Sequence, residues 1–227
     1  MHQDKKYFEK IGARGQLIVI SGPSGVGKRT LVKEYLSQHP VAIKVPTVTT
    51  RPPRDDEEDG EQHYFISQED FDRMIRNGEI IDYSYYNRYG YGTTVTAIEN
   101  ARNAGRNVIL IENVTGSMRV KSRFPDASLI FILPMEWDEL EERIHERFAH
   151  DPQRVEDSLH HAKEQILCAS QFDYVLVNDT IEKTVRRLGQ IIHGNRYAGR
   201  NMVYFLDNYI QSEIQSDLVD VLTSINR

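Results

Sequence analysis

The apolar positions of this chain fall into short, nearly continuous runs separated by longer stretches with helical spacing. The first run is Leu17, Ile18, Val19 and Ile20, and comparable runs recur at 107–114 (NVILIENV), 127–134 (ASLIFILP) and 173–179 (DYVLVND). Runs this apolar and rich in β-branched residues suit strands covered on both faces, as in a parallel sheet. Helical patterns are predicted between them over 94–104, 136–148, 152–170 and 181–193, and after the first run, where Leu31, Val32, Tyr35 and Leu36 share one face. Strand and helix alternate, so the predicted fold class is α/β with a parallel sheet core.

Two regions break the alternation. Residues 45–93 are rich in Tyr, Arg and acids, and read as an insertion that binds a substrate. Beyond Asn195, the residues Met202, Phe205, Leu206, Tyr209, Ile210, Ile214, Leu218, Leu222 and Ile225 recur at helical spacing. They predict an amphipathic C-terminal helix, or two, whose stripe is buried on its own core or against a second copy in a homodimer.

Composition narrows the function classes. The 227 residues suffice for one main domain with a full core. A net charge of -6 argues against a dedicated nucleic-acid binder, so any phosphate site must be local. Cys168 is the single cysteine and the opening MHQDKKYFEK lacks an apolar leader, which predicts a reduced, cytoplasmic setting. No apolar run approaches the ~18 residues of a membrane span, so no membrane association is expected.

The strongest chemical signal is Gly22–Lys28, GPSGVGK, which matches GxxxxGK directly after a predicted strand and at the opening of a helix. The backbone of Gly22, Pro23, Ser24, Gly25, Val26 and Gly27 can wrap a phosphate, the helix start supplies NH groups, and Lys28 supplies charge. Arg29 stands where a magnesium-holding Ser or Thr is usual, and Thr30 follows, so the metal is expected to be held less directly. His145, His150, His160 and His161 lack any CxxC or HExxH spacing, and no metal site of the protein's own is expected. Arg51 and Arg54, beside prolines, could fork a dianionic phosphate or form a solvated charged loop.

Taken together, these residues resemble the guanylate kinase family. After the loop come Thr49, Thr50, Arg51, Arg54, Glu57, Gly60 and Phe65, in the order of TTRxxRxGExxGxxYxF, and then Tyr91, Gly92 and Thr93 as YGT. The likeness runs from about Gly15 to His193, through FPDASLIFILP and VLVND. It implies a P-loop kinase that uses ATP and Mg2+ to phosphorylate GMP, with a three-part domain over 15–194. Its parts would be a core at 15–45 and 94–194, a GMP-binding insertion at about 46–93 and a helical lid at about 143–158, followed by the extension 195–227. The resemblance further implies that Thr47, Arg51, Arg54 and Tyr91 hold the GMP phosphate, and that Glu57, Asp82 and Thr93 lie near its base. Arg147 matches a lid arginine and Asn178 a position near the adenine. Lys28, Arg51, Arg54 and Arg147 would supply the catalytic charge.

Several positions depart from the family pattern. Asp56 replaces a glycine, His63 replaces a phosphate-binding tyrosine with Tyr64 beside it, Asp82 is one methylene shorter than the usual glutamate, and Ser158 replaces a second lid arginine, for which Arg154 is a candidate substitute. Where the family carries a DxD pair, this chain reads Ile111, Glu112, Asn113. With period two along a strand, Glu112 is expected to point away from the site unless a bulge turns it inward. Partial loss of the acids is the favoured reading, with Asn113 keeping a hydrogen bond near the guanine. Arg143 is expected on a solvated face, paired with Glu139, and Tyr83, Tyr85, Tyr86 and Tyr89 are expected to wall the GMP pocket. A retuned kinase for another nucleoside monophosphate and a phosphoprotein-binding module stand as alternatives to GMP phosphorylation.

Overall fold

The computed structural model describes residues 14–55 and 57–210. Its main sheet has five parallel strands in the order β2-β7-β1-β8-β9, formed by Ala42–Ile43, Asn107–Ile111, Leu17–Ser21, Ser128–Pro134 and Tyr174–Asn178. Period-two alternation splits each apolar strand between two cores. Ile18 and Ile20 face one side with Ile109, Ile130 and Ile132. That side is covered by α1 (Lys28–Gln38), α5 (Trp137–Arg147), α6 (Pro152–Leu167) and α7 (Ile181–Asn195), which contribute Leu31, Leu140, Val155 and Leu188. Leu17 and Val19 face the other side, where α3 (Val95–Asn103) and α4 (Val114–Arg123) contribute Ile98 and Val120. Both faces are covered, which is why these strands carry almost no polar residues.

The stretch between α1 and α3 forms a second, four-stranded sheet in the order β4-β3-β6-β5, from His63–Phe65, Thr47–Thr49, Tyr89–Thr94 and Ile80–Tyr86. Its own small core is Val48, Phe71 and Ile80, with Phe71 supplied by α2 (Gln68–Arg76). Ser67 starts α2 by accepting from the Asp70 amide at 3.0 Å. Asn87 and Arg88 take positive φ in the two-residue turn between β5 and β6, a geometry that matches the twist of a tight hairpin.

The apolar run at 107–114 does not continue as one strand. β7 ends at Ile111, and Asn113 caps α4, its Oδ1 accepting from the Gly116 amide at 2.7 Å. A side-chain acceptor at the cap satisfies one of the orphan donors of the first turn and stops the extended run. At the far end of the chain, α7 is followed by a short helix α8 (Val203–Tyr209), on which Val203 and Leu206 are exposed. The rest of the predicted C-terminal stripe, Ile214, Leu218, Leu222 and Ile225, lies outside the described residues, as does Asp56. Among the described residues no helix is long and apolar enough to cross a membrane.

Candidate active site

The C-terminal ends of β1 and β7 and the start of α1 frame a cleft of about 570 Å³. It is lined by Gly22, Ser24, Gly25, Gly27, Lys28, Arg29, Thr30, Ile111, Glu112, Asn113, Arg147 and Gln165. The loop leads straight from β1 into α1, so its amides converge at a helix N-terminus. Gly27 has φ 95°, and a Cβ there would lie 2.9 Å from Asn178 Nδ2, so both conformation and space demand glycine. Lys28 Nζ donates to the loop's own carbonyls at Gly22 (2.5 Å) and Pro23 (2.9 Å), which holds the ammonium over the cleft. Burial, and then the charges of Arg147 and Arg29, push its pKa down to about 8.

A smaller cavity of about 290 Å³ shares Gly25, Gly27 and Thr30 with the cleft and is closed by Arg143, Asn178, Asp179 and Ile181. Asn178, 6% exposed, donates from Nδ2 to the Val26 carbonyl at 2.8 Å, while its buried Oδ1 has no hydrogen-bond partner. A buried acceptor beside a cavity is a place for a ligand's donor, because burying it unsatisfied is costly. Arg143 keeps its contact with Glu139 (3.4 Å) yet also borders this cavity, so it is more than a solvated helix face. Arg147 Nη1 donates to Ser24 Oγ at 3.2 Å, and both Arg147 and Arg154 lie over the Phe148 ring, at 5.2 and 4.5 Å. Ser158 sits within α6, partly buried.

The second sheet carries an anion clamp centred on Arg51. Arg51 Nε donates to Tyr91 Oη at 3.2 Å, and its Nη2 donates to both Glu57 oxygens at 2.8 and 2.9 Å. Glu57 also accepts from the Arg54 amide at 2.9 Å. Glu57, expected near a base, is thus the strut of the arginine. The Arg51 hydrogen bonds, and then the Arg54 amide, hold its carboxyl at about 2. The pair is therefore intact at neutral pH and is lost only as pH falls below the usual carboxyl range towards 2. His63 lies edge-on to Tyr91 and its Nδ1 meets Thr47 Oγ1 at 2.7 Å. Burial, and then the Arg51 charge, lower its pKa, so the ring is neutral at pH 7.

Strand alternation separates residues that neighbour each other in sequence. Tyr64 points to the face opposite His63, where it packs over Gly60 and is 43% exposed, so the two do not share the clamp. Tyr83 and Tyr85 stand edge-on to Phe71 on the α2 side, away from Asp82, and do not wall the cleft. Asp82 faces α4, its Oδ1 accepting from Arg119 Nη2 at 2.7 Å, with Thr93 opposite it in the β5–β6 pairing.

Glu112 overturns the expectation that it points away. Its amide still donates to the Ile20 carbonyl at 3.0 Å, so alternation places it on the α4 side with Leu110, and on that side its carboxyl meets Asp82 at the cleft wall. Burial, then the hydrogen bond and charge of Asp82, raise it well above the ordinary carboxyl range. The cleft thus carries an acid at this end of β7. Gln165, with a buried Oε1 that lacks a partner and faces the same cleft, carried no sequence signal.

Nothing among the described residues groups three or more His, Cys, Asp or Glu so as to hold a metal ion. His160 and His161 instead pair with Glu164 at 3.3 and 3.0 Å on the surface.

Comparison with known proteins places this arrangement. The family model for guanylate kinase matches residues 14–195. A guanylate kinase of Desulfitobacterium hafniense is 40% identical over 178 residues, covering 78% of this chain and 89% of that one. One of Streptococcus thermophilus is 35% identical over 206 residues, covering 90% and 98%. The crystal structure of guanylate kinase from Anaplasma phagocytophilum superposes with a TM-score of 0.62 at 26% identity, covering 89% of this chain and 96% of that one.

Proposed function

This chain belongs to the guanylate kinase family, and we propose that it transfers the terminal phosphoryl group of ATP to GMP, in the cytoplasm. The observation that carries the reading is two anion sites in one domain, the Lys28 loop lining the cleft and the Arg51 clamp on the second sheet, which meets the cleft wall where Asp82 lies against Glu112. The loop amides and Lys28 would hold the triphosphate, with Asn178 Oδ1 available to a base amine. Arg51 and Arg54, with Tyr91 and Thr47, would hold the monophosphate dianion. If the Thr47 hydroxyl donates to His63 Nδ1, the ring proton would lie on Nε2, a donor in the place of a tyrosine hydroxyl. Asp82 would accept from the guanine N–H groups, with Thr93 and Asn113 nearby.

Phosphoryl transfer needs positioning and charge more than covalent chemistry, so Lys28, Arg51 and Arg147 do the main work by neutralising charge on the transferring group. Magnesium fits this cleft as part of the nucleotide complex. Thr30, a hydroxyl lining the cleft, would help hold the ion, which would supply charge neutralisation for the bound phosphates. The nucleotides are the partners of the fold. A homodimer through the C-terminal segment is a second element of the proposal, supported by exposed Val203 and Leu206 at the start of its apolar stripe.

A coupled assay of ATP consumption against GMP, dGMP, AMP, CMP and UMP with magnesium tests the reading. GMP is expected to give turnover and the others far less. A preference for another monophosphate, or GMP turnover no higher than that of Arg51→Ala, would sink it.

A further inference from the structure

The end of the main sheet opposite the nucleotide cleft carries a second pocket, of about 740 Å³, that the proposed phosphoryl transfer leaves unused. It lies where β1, β2 and β7 begin, against Gln16, Ala42 and Asn107, and between the last turns of α1 and the length of α7. Helix α1 has 11 residues, and at ~1.5 Å per residue it holds this pocket well away from Lys28 at its start. Hydrogen bonds pin the walls. Arg106 donates to the Pro40 and Val41 carbonyls at 2.8 and 3.2 Å, and Gln16 Nε2 donates to the Ile192 carbonyl at 2.9 Å. His39 Nδ1 donates to the Tyr35 carbonyl at 2.9 Å, and its ring stacks on that of Tyr35 with centroids 4.0 Å and planes 11° apart.

Gly189 opens the α7 wall. It stands inside a helix, where glycine costs about 1 kcal/mol relative to alanine. An added Cβ would lie 3.7 Å from His39 Nε2 and 3.8 Å from Tyr35 Cε2, ordinary contact distances, so close packing does not demand glycine. What it leaves is open space beside the two rings. Around this aromatic floor, extended by Val185 and Ile192, the charges are mostly of one sign. Arg186, His193 and Arg196 recur along α7 and its C-cap, and Glu182, one turn before Arg186, is the one acid among the lining residues described. Burial pushes the Tyr35 hydroxyl up to about 12 against the Arg196 charge, so the phenol stays a donor at neutral pH.

We propose that this pocket binds a planar aromatic anion, its ring against the Tyr35–His39 stack beside Gly189 and its negative group held by Arg186 and Arg196. The volume lies within the ~300–1,000 Å³ of small-molecule sites, and an apolar lining with a few converging polar groups is their usual character. The rings supply area for a flat apolar body, and the guanidinium groups fork a carboxylate or sulfonate. In a chain of net charge -6, this local excess of cations selects the sign of the ligand.

The test is a fluorescence titration of the full chain with anilinonaphthalene sulfonate and with phenylnaphthylamine, which has the same rings without the sulfonate. Saturating ADP and GMP keep both probes out of the nucleotide cleft. One saturable site per chain is expected, with the sulfonate bound about 10-fold tighter than the neutral probe, the scale of one hydrogen bond to a charged group. Gly189→Leu fills the pocket with a better helix former and should weaken both probes by about 10-fold or more. Arg186→Gln, on an exposed part of α7, should weaken the sulfonate alone and bring the two probes to within about threefold. Both variants should keep the wild-type ATP affinity, which reports an intact fold. Equal binding of the two probes by wild type, an unchanged sulfonate affinity in Gly189→Leu, or release of the sulfonate by ADP and GMP overturns the inference. So does a full chain that binds neither probe.

Discussion

The two ends of the cleft are built in opposite ways. The end proposed for the triphosphate is one contiguous stretch, Gly22 to Thr30, anchored between a fully buried strand and a helix. The monophosphate end is gathered from the 51–57 loop, β4, β5, β6 and the turn after β7, on a sheet with a core of only three buried apolar residues. A local motif places its groups by backbone geometry, whereas a gathered site places them through side-chain struts such as Glu57 behind Arg51. His63, Asp82 and Glu112 all belong to the second kind.

That contrast can be broken first at Lys28. Lys28→Ala should lower kcat by about 10³-fold, as loss of a charge aimed at the transferring group does, with GMP affinity unchanged by calorimetry. Equal loss of GMP affinity would mean that the two ends are not independent. Arg51→Ala should lower kcat/KM for GMP by about 10²-fold, through kcat as well as KM, and leave ATP affinity intact.

Phe71→Ala tests whether the small sheet is the weaker support. Phe71 is fully buried, and its truncation should cost about 3–5 kcal/mol in denaturant unfolding, with hydrogen exchange rising in β3–β6 before the main sheet. Uniform exchange across both sheets would merge the two regions into one cooperative unit.

The pH profile separates the ends more gently. Lys28 carries its proton below about 8 and loses it as pH rises through that value, so kcat/KM for ATP should fall on the alkaline side from there. Glu57 and His63 predict no change in the clamp between pH 7 and 8. GMP affinity that falls in parallel with that of ATP would contradict this assignment. The smallest effect is expected from Ser158→Arg, which returns a second guanidinium to the lid side and should raise kcat by a few fold, about the scale of a partly screened surface charge.

Legibility in the sequence followed the same division. The alternating apolar runs identified four of the five main strands, missing only the two-residue β2, and the GxxxxGK spacing located Lys28 and the cleft floor. The second sheet was harder to read, because its strands are short and half exposed and their tyrosines carry no clean alternation. Helix α4 was hidden in the apolar run at 107–114 until the Asn113 cap divided it.

What the sequence determined alone was what local physics decides. Period two buries Ile18 and Leu17 on opposite faces, glycine permits the loop, and a helix start offers its amides to phosphate. Tertiary structure alone decided which acids meet which partners. Glu57 became the strut of Arg51, and Glu112 met Asp82 from the second sheet. The reason is physical. Which partner a side chain meets is set by how the two sheets pack, and those are contacts between segments that the order of residues does not bring together.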